Sequence, residues 1–515
     1  MDTEPFANRQ LHFIGIGGAG MSGLALVAAE LGATVTGSDR ADSTYTDKLR
    51  AAGIEPVIGH AAANLPAGAE VVVSTAIPPE NPELVAAHTA GATVIHRGQL
   101  LGELTRLKKA IAIAGTHGKT TTCGMVAHVL RATGRDPAFV IGGELRSAGT
   151  NAAWGAGDWI VAEADESDRS FLQLARDVAV VTNVELDHHA TYHSLADLQA
   201  TFAEFIAPAN LCIAWHPAAQ ALAIDPTTLA EPQASLAAAD SAAGDEGPSS
   251  DSQAERAFVS HGVPPTPNLQ TYGIDTGDLT AQNVTLRPMG SHFTVDGVPV
   301  ELNVPGEHNI LNALAALAAC RAAGVELAEA APAIAGFGGA GRRFEERGAT
   351  ATGAQVYDDY AHHPTEVRAT LEAARTLDAR RIVACFQPHL FSRTRELARE
   401  FGRALALADV VVVVDVYPAR ERAEDFPGVS GLLVAEAAAD AAPGRPVVWA
   451  PSFDDAERRL RGELGPGDVL LTLGAGNIDA LATRLTAGDA GSGSPASARD
   501  DADGDPPPLR AEDLA

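Results

Sequence analysis

Apolar positions in this chain follow two spacings. Short uninterrupted runs rich in Val, Ile and Ala mark strands buried on both faces, and apolar residues recurring every three or four positions mark helices. The run at 11–16 predicts a buried strand entering a glycine-rich turn, and 24–31 predicts a helix ended by Gly32. Strands at 34–37, 71–75 and 93–96 complete a doubly wound unit. The pattern restarts with a strand at 110–114, a helix to about residue 131, strands at 159–162 and 178–182, strand-like segments within 269–304 and an Ala/Leu helix at 309–323. After Phe337 a third series runs through strands at 354–358, 381–386, 409–416, 447–450 and 469–473. The expected fold class is therefore α/β with mostly parallel sheets, in three domains at 1–108, 109–336 and 337–486.

Two stretches interrupt this patterning. Residues 217–267 turn to Ala, Asp, Glu, Ser, Gly and Pro, and residues 487–515 are similarly acidic and polar. Both carry too little apolar surface to pack, which predicts a disordered acidic insertion in the second domain and a disordered acidic tail. No apolar run approaches the roughly 18–20 residues of a membrane helix, and the first residues lack a signal-like core, so a cytoplasmic protein without membrane contact is expected. The 66 acidic residues outnumber the 37 basic ones, for a net charge of -29. Such a field repels nucleic-acid backbones, so no nucleic-acid partner is expected. Cys123, Cys212, Cys320 and Cys385 are too far apart for a zinc or disulfide framework.

The strongest chemical signal is Gly115-Thr116-His117-Gly118-Lys119-Thr120-Thr121, set between a strand and a helix. Glycines permit close backbone approach to a phosphate, the helix start supplies N–H donors, Lys119 a mobile cation and Thr120 a hydroxyl for magnesium. The first glycine stands four positions before Lys119, not six as in the usual phosphate loop. A second glycine loop, Gly15-Ile16-Gly17-Gly18-Ala19-Gly20, is followed by Asp39 at the next strand end. Alone it fits a dinucleotide, another diphosphate or simply a tight turn. The acidic run 163–168 follows a strand directly and suits magnesium, with Glu163 best placed as ligand. His188, after the next strand, can bind a metal or orient a phosphate.

In chain order, HFIGIGGAGMSGLA, GTHGKTTT, VAEADESD, NVELDH, GEHNILNALAA, GAGRRFE, DDYAHHPTE, FQPHLFSRTR and LTLGAGNI resemble the Mur ligase family over about residues 10–485. The resemblance implies an N-terminal Rossmann-like domain for the UDP part of a sugar nucleotide, a central P-loop ATPase, and a C-terminal Rossmann-like domain for an amino acid. It implies ATP and Mg2+ as cofactors. Gly15, Gly17, Gly18, Gly20 and Asp39 would meet the sugar nucleotide. The 115–121 loop would hold ATP, His308, Asn309 and Asn312 would frame its adenine, and Arg342, with Arg343 beside it, would reach phosphate. Lys119, Glu163 and His188 would act on the transferring group, with Thr120, Glu163 and His188 on metal. Tyr360 and His362, near Asp359 and His363, would form the amino-acid site, with Arg393 on the carboxylate. Leu390 stands where members of this group often carry arginine.

The implied reaction is ATP-dependent amide formation between UDP-N-acetylmuramate and L-alanine through an acyl phosphate, by a monomer or homodimer. The alternatives are a ligase adding a tripeptide to the same sugar nucleotide, and an NAD-dependent dehydrogenase, which leaves Lys119 without a task.

Overall fold

The computed structural model describes residues 4–189, 191–224 and 268–487. Nearly all of the predicted insertion and tail lies outside these residues. The insertion does begin later than expected, because the helix His216–Ala221 occupies its first positions and follows directly on the strand Leu211–Trp215.

Three sheets organise the described residues. The first has five parallel strands in the order Val57–Ile58, Thr34–Asp39, Gln10–Ile14, Glu70–Val73 and Val94–His96. The second has ten strands. Its parallel centre places Lys109–Ala114 between Val178–Val181 and Trp159–Glu163, and antiparallel pairs close both edges. The third has six strands, with Asp468–Leu473 between Gln355–Asp359 and Arg381–Phe386. In the second and third sheets the central strands carry Ala, Val, Ile and Leu on both faces because helices cover each side. Lys119–Ala132 and Glu307–Ala322, for example, bury Val126, Leu130, Leu314 and Leu317 in one core. No helix among the described residues is long and apolar enough to cross a membrane.

The joins between the sheets differ in chemistry. Helix Ala19–Glu30 sends Met21, Leu24 and Ala28 into a core shared with Val140, Ala152 and Ile160, so the first two units are fused by apolar packing. The third unit has cores of its own. Its contacts with the second include ion pairs and hydrogen bonds as well as Met289, which packs against the third unit's core, and its covalent join is held on both sides. Ala340 bridges Leu145, and the Gly341 N–H donates to the Glu144 carbonyl at 2.9 Å. One residue later, Arg342 is tied wholly into the third unit. Its Nε donates to Asp358 at 2.8 Å, and Nη1 and Nη2 donate to the Gly476 and Gly474 carbonyls at 2.9 and 2.8 Å.

Candidate active site

The loop between strand Lys109–Ala114 and helix Lys119–Ala132 depends on its glycines. Gly115 and Gly118 have φ of +137° and +81°, and a Cβ on Gly118 would come within 2.4 Å of the Asn312 Oδ1. Asn183 fastens the loop by accepting from the His117 N–H at 2.8 Å and donating to the His117 carbonyl at 2.9 Å. Lys119 folds back over it, donating to the Gly115 and Thr116 carbonyls at 2.6 and 3.2 Å and pairing with Glu166 at 2.9 Å. Burial works against the Lys119 charge, but Glu166, Asp165 and Glu163 outweigh it and hold the ammonium above its ordinary pKa.

Beside the loop, Thr120 donates to Glu163 Oε1 at 3.1 Å, and Glu163 Oε2 accepts from the Gly142 N–H at 2.7 Å. A hydroxyl and a carboxylate thus sit together at a strand end, the oxygen set a hard divalent cation requires. His188 has φ of +54° and places Nε2 at 3.3 Å from Glu166 Oε1. Burial disfavours its charged ring, but Glu166 and Asp187 prevail and raise its pKa.

His117, within the loop, reaches two carboxylates: Glu185 at 3.3 Å and, across the join, Glu366 at 3.2 Å. These contacts overcome burial and push its pKa up to about 9. Glu366 also accepts from the His362 and His363 N–H groups at the start of helix Pro364–Ala374, while Thr365 donates to Glu185 at 2.7 Å. Thr121 begins the same helix as Lys119 and, with Asn309, Asn312, His308 and Phe337, borders a cavity of about 280 Å³. Asn309 donates to the Pro305 carbonyl at 2.7 Å and Asn312 to Asn309 at 3.0 Å, which fixes both amides. Burial pushes His308 down to about 4, so its ring is neutral there.

A second cavity, of about 690 Å³, draws on all three units, from Tyr45 through Lys119, Thr120 and Glu163 to Tyr360, His362 and Arg393. His362 is driven down to about 4 by burial, Glu366 notwithstanding. Arg393 is only 3% exposed. It grips Asp187 through Nε at 3.1 Å and through Nη2 at 2.9 and 3.0 Å, with Nη1 3.1 Å from His389 Nδ1.

Several expected roles shift in this geometry. Arg342 lines the larger cavity together with the phosphate loop, but its guanidinium is engaged by three hydrogen bonds within the third unit. Its neighbour Arg343 takes the facing position, reaching Thr120 at 3.4 Å and lying 5.2 Å above the Tyr360 ring. Arg393 meets a carboxylate as expected, but that of Asp187. In the first glycine loop, Gly15 has φ of +81°, and Gly17 donates its N–H to Asp39 at 2.8 Å. Asp39 therefore braces the turn of Gly17, Gly18 and Gly20. Arg97, unmarked in the sequence, joins this loop to the acidic strand end by pairing with Asp165 and lining a pocket with Gly20. Asp187 and Glu366 are likewise unmarked, since their partners lie far off in the chain.

Residues 10–109 match the "Mur ligase family, catalytic domain", residues 113–220 the "Mur ligase middle domain" and residues 342–476 the "Mur ligase, glutamate ligase domain". A UDP-N-acetylmuramate–L-alanine ligase of Acidithiobacillus ferrooxidans is 44% identical over 490 residues, covering 92% of this chain and 97% of the relative. One of Rubrobacter xylanophilus is 44% identical over 484 residues, covering 93% and 99%. The crystal structure of the UDP-N-acetylmuramate–alanine ligase of Thermotoga maritima superposes with a TM-score of 0.72 at 28% identity, covering 92% of this chain and 98% of that one.

Proposed function

The chain belongs to the Mur ligase family, and from that premise we propose that it joins L-alanine to the lactyl carboxylate of UDP-N-acetylmuramate, driven by conversion of ATP to ADP and phosphate, in the cytoplasmic stage of peptidoglycan synthesis. The observation that carries this reading is 44% identity, across 92% of the chain, to a ligase of that name.

A carboxylate has no leaving group at neutral pH, so it must first be activated. Its oxygen attacks the γ-phosphorus, the bond to the β–γ bridging oxygen breaks, and ADP departs. The free amine of alanine then adds to the acyl carbon, the carbon–oxygen bond to phosphate breaks, and the nitrogen releases a proton as phosphate departs. Both steps move negative charge over phosphoryl oxygens, so positioned cations are what the protein must contribute.

Lys119 and Arg343 flank Thr120 and supply two such cations. For Lys119 to act, phosphate oxygens displace its contacts to the Gly115 and Thr116 carbonyls. His188, whose pKa Glu166 and Asp187 raise, contacts the same Glu166 carboxylate as Lys119. Gly115, Thr116, His117 and Gly118 cradle the phosphates, while Asn309, Asn312 and His308 border the cavity for the adenine. Thr120 and Glu163 fit Mg2+, being oxygen donors 3.1 Å apart with Glu163 oriented by the Gly142 N–H. Bound there, Mg2+ neutralises charge on the nucleotide phosphates. On the amino-acid side, neutral His362 and Tyr360 offer polar surface without repelling an ammonium group.

The test is to incubate the protein with ATP, Mg2+, UDP-N-acetylmuramate and either single amino acids or a tripeptide acceptor, then weigh the products by mass spectrometry. The expected product is the L-alanine conjugate, with one phosphate released per conjugate. A tripeptide conjugate formed in preference to it, or none with alanine, would overturn the reading.

A further inference from the structure

The cations around the larger cavity are unequally engaged. Arg393 directs three hydrogen bonds at Asp187, Arg342 is bound into the third sheet, and Leu390, at the start of the same helix as Arg393, offers no polar side chain. Arg343 stands over Thr120 on the phosphate side. Arg420 differs from all of these. It lines the same cavity beside His389, Leu390 and Arg393, and among the described residues it makes no ion pair and no side-chain hydrogen bond.

Its position is built. The Tyr417 N–H donates to the Pro388 carbonyl at 2.8 Å, and the Leu390 N–H to the Tyr417 carbonyl at 3.0 Å. The Tyr417 ring stacks on His389, with centroids 5.8 Å apart. On the other flank, Glu421 accepts from the Ser392 N–H at 2.9 Å and from its hydroxyl. Between these anchors Ala419 adopts φ of +50°, a left-handed turn that non-glycine residues seldom take. Arg420 is thus presented at the cavity by a segment stitched to the start of helix Phe391–Leu405.

We propose that Arg420 is the guanidinium that receives the α-carboxylate of the incoming amino acid. The inference rests on the proposed alanine-adding activity and assigns the part of that site which Arg393, turned to Asp187, leaves open. A guanidinium suits a carboxylate through two parallel charge-assisted hydrogen bonds, and an exposed, unpaired one can form them without first breaking an internal pair. Arg393 and Asp187 then shape the wall behind the amino acid.

The experiment compares the parent enzyme, Arg420→Ala and Arg420→Lys with L-alanine and with L-alaninamide, which keeps the amine and side chain but lacks the carboxylate. Arg420→Ala should raise the KM for L-alanine by about tenfold or more and leave turnover of L-alaninamide within about twofold of the parent. KM values for ATP and UDP-N-acetylmuramate should stay at parental levels, which also shows that the variant is folded, and Arg420→Lys should recover part of the loss. With a parent that joins L-alanine, an unchanged alanine KM in Arg420→Ala, or an equal loss for the amide, overturns the assignment alone. A parent that does not join L-alanine overturns the functional reading, and this assignment with it.

Discussion

Replacing Arg393 by alanine is expected to open the molecule. The Arg393 and Asp187 side chains are 4% and 5% exposed and join the third unit to the second. Removing one member of a buried, hydrogen-bonded ion pair generally costs about 3–5 kcal/mol, because the remaining charge is stranded away from water. Asp187 keeps a second partner, since His188 Nε2 lies 3.8 Å from it, which favours the lower end, about 3 kcal/mol. The cheapest relief is for the third unit to swing away and rehydrate the carboxylate. At roughly tenfold per 1.4 kcal/mol, the ratio of closed to open molecules should fall by a factor of about one hundred. Small-angle X-ray scattering without ligands measures this as a larger radius of gyration for Arg393→Ala than for the parent. The double variant Arg393→Met/Asp187→Leu strands no charge and should return toward the parent radius. If the single variant keeps the parent radius, or the double variant is as open as the single, the pair is not what holds the units together.

Lys119→Ala should abolish ADP release and also lower the melting temperature, because it leaves Glu166 with His188 alone; adding Glu166→Gln should recover the melting temperature but not turnover. Glu163→Gln should raise the Mg2+ concentration for half-maximal ligation by about tenfold, read from initial rates across a Mg2+ titration, because one charged oxygen ligand is lost. In the first unit, burial opposes the Glu83 charge, but His12, Ser38, Asn64 and the Ala61 N–H hold its carboxyl down at about 2, below its ordinary 4.5. A carboxyl depressed on folding stabilises above its unfolded pKa and loses that contribution as pH falls toward the folded one. Melting curves of the parent should therefore decline from about pH 4.5 toward pH 2, and Glu83→Gln should remove that part of the decline.

The strands around the phosphate loop are legible in the chain because Ala110 to Ala114 and Val178 to Val181 are unbroken apolar runs, each ending at a polar, functional turn. Helix Thr44–Ala51 is not, since only Thr46 and Leu49 of its eight residues are buried. Strand Thr150–Ala153 also escapes notice, being four residues with no β-branched run. Within the site, glycines and Lys119 carry local signals, whereas Asp187 and Arg393 are 206 positions apart and nothing local marks them as partners. Arg342 and Arg343 are the sharpest case. Side by side in sequence they look interchangeable, yet φ of +56° at Arg342 sends one guanidinium into the third sheet and the other toward Thr120. A backbone twist of that kind has no signature in residue type.

The junction between Gly341 and Arg342 has a mechanical meaning. Gly341 is fastened to the second unit and Arg342 to the third, so any rotation between the two bodies is confined to the bonds joining them. A point on a rotating body travels in proportion to its distance from the axis. Arg343, one residue beyond the junction, reaches back to Thr120 of the second unit, whereas Arg393 and Arg420 come to the shared cavity from elements farther along the chain. A turn of the third unit about this junction would therefore displace Arg343 less than any residue farther from the axis.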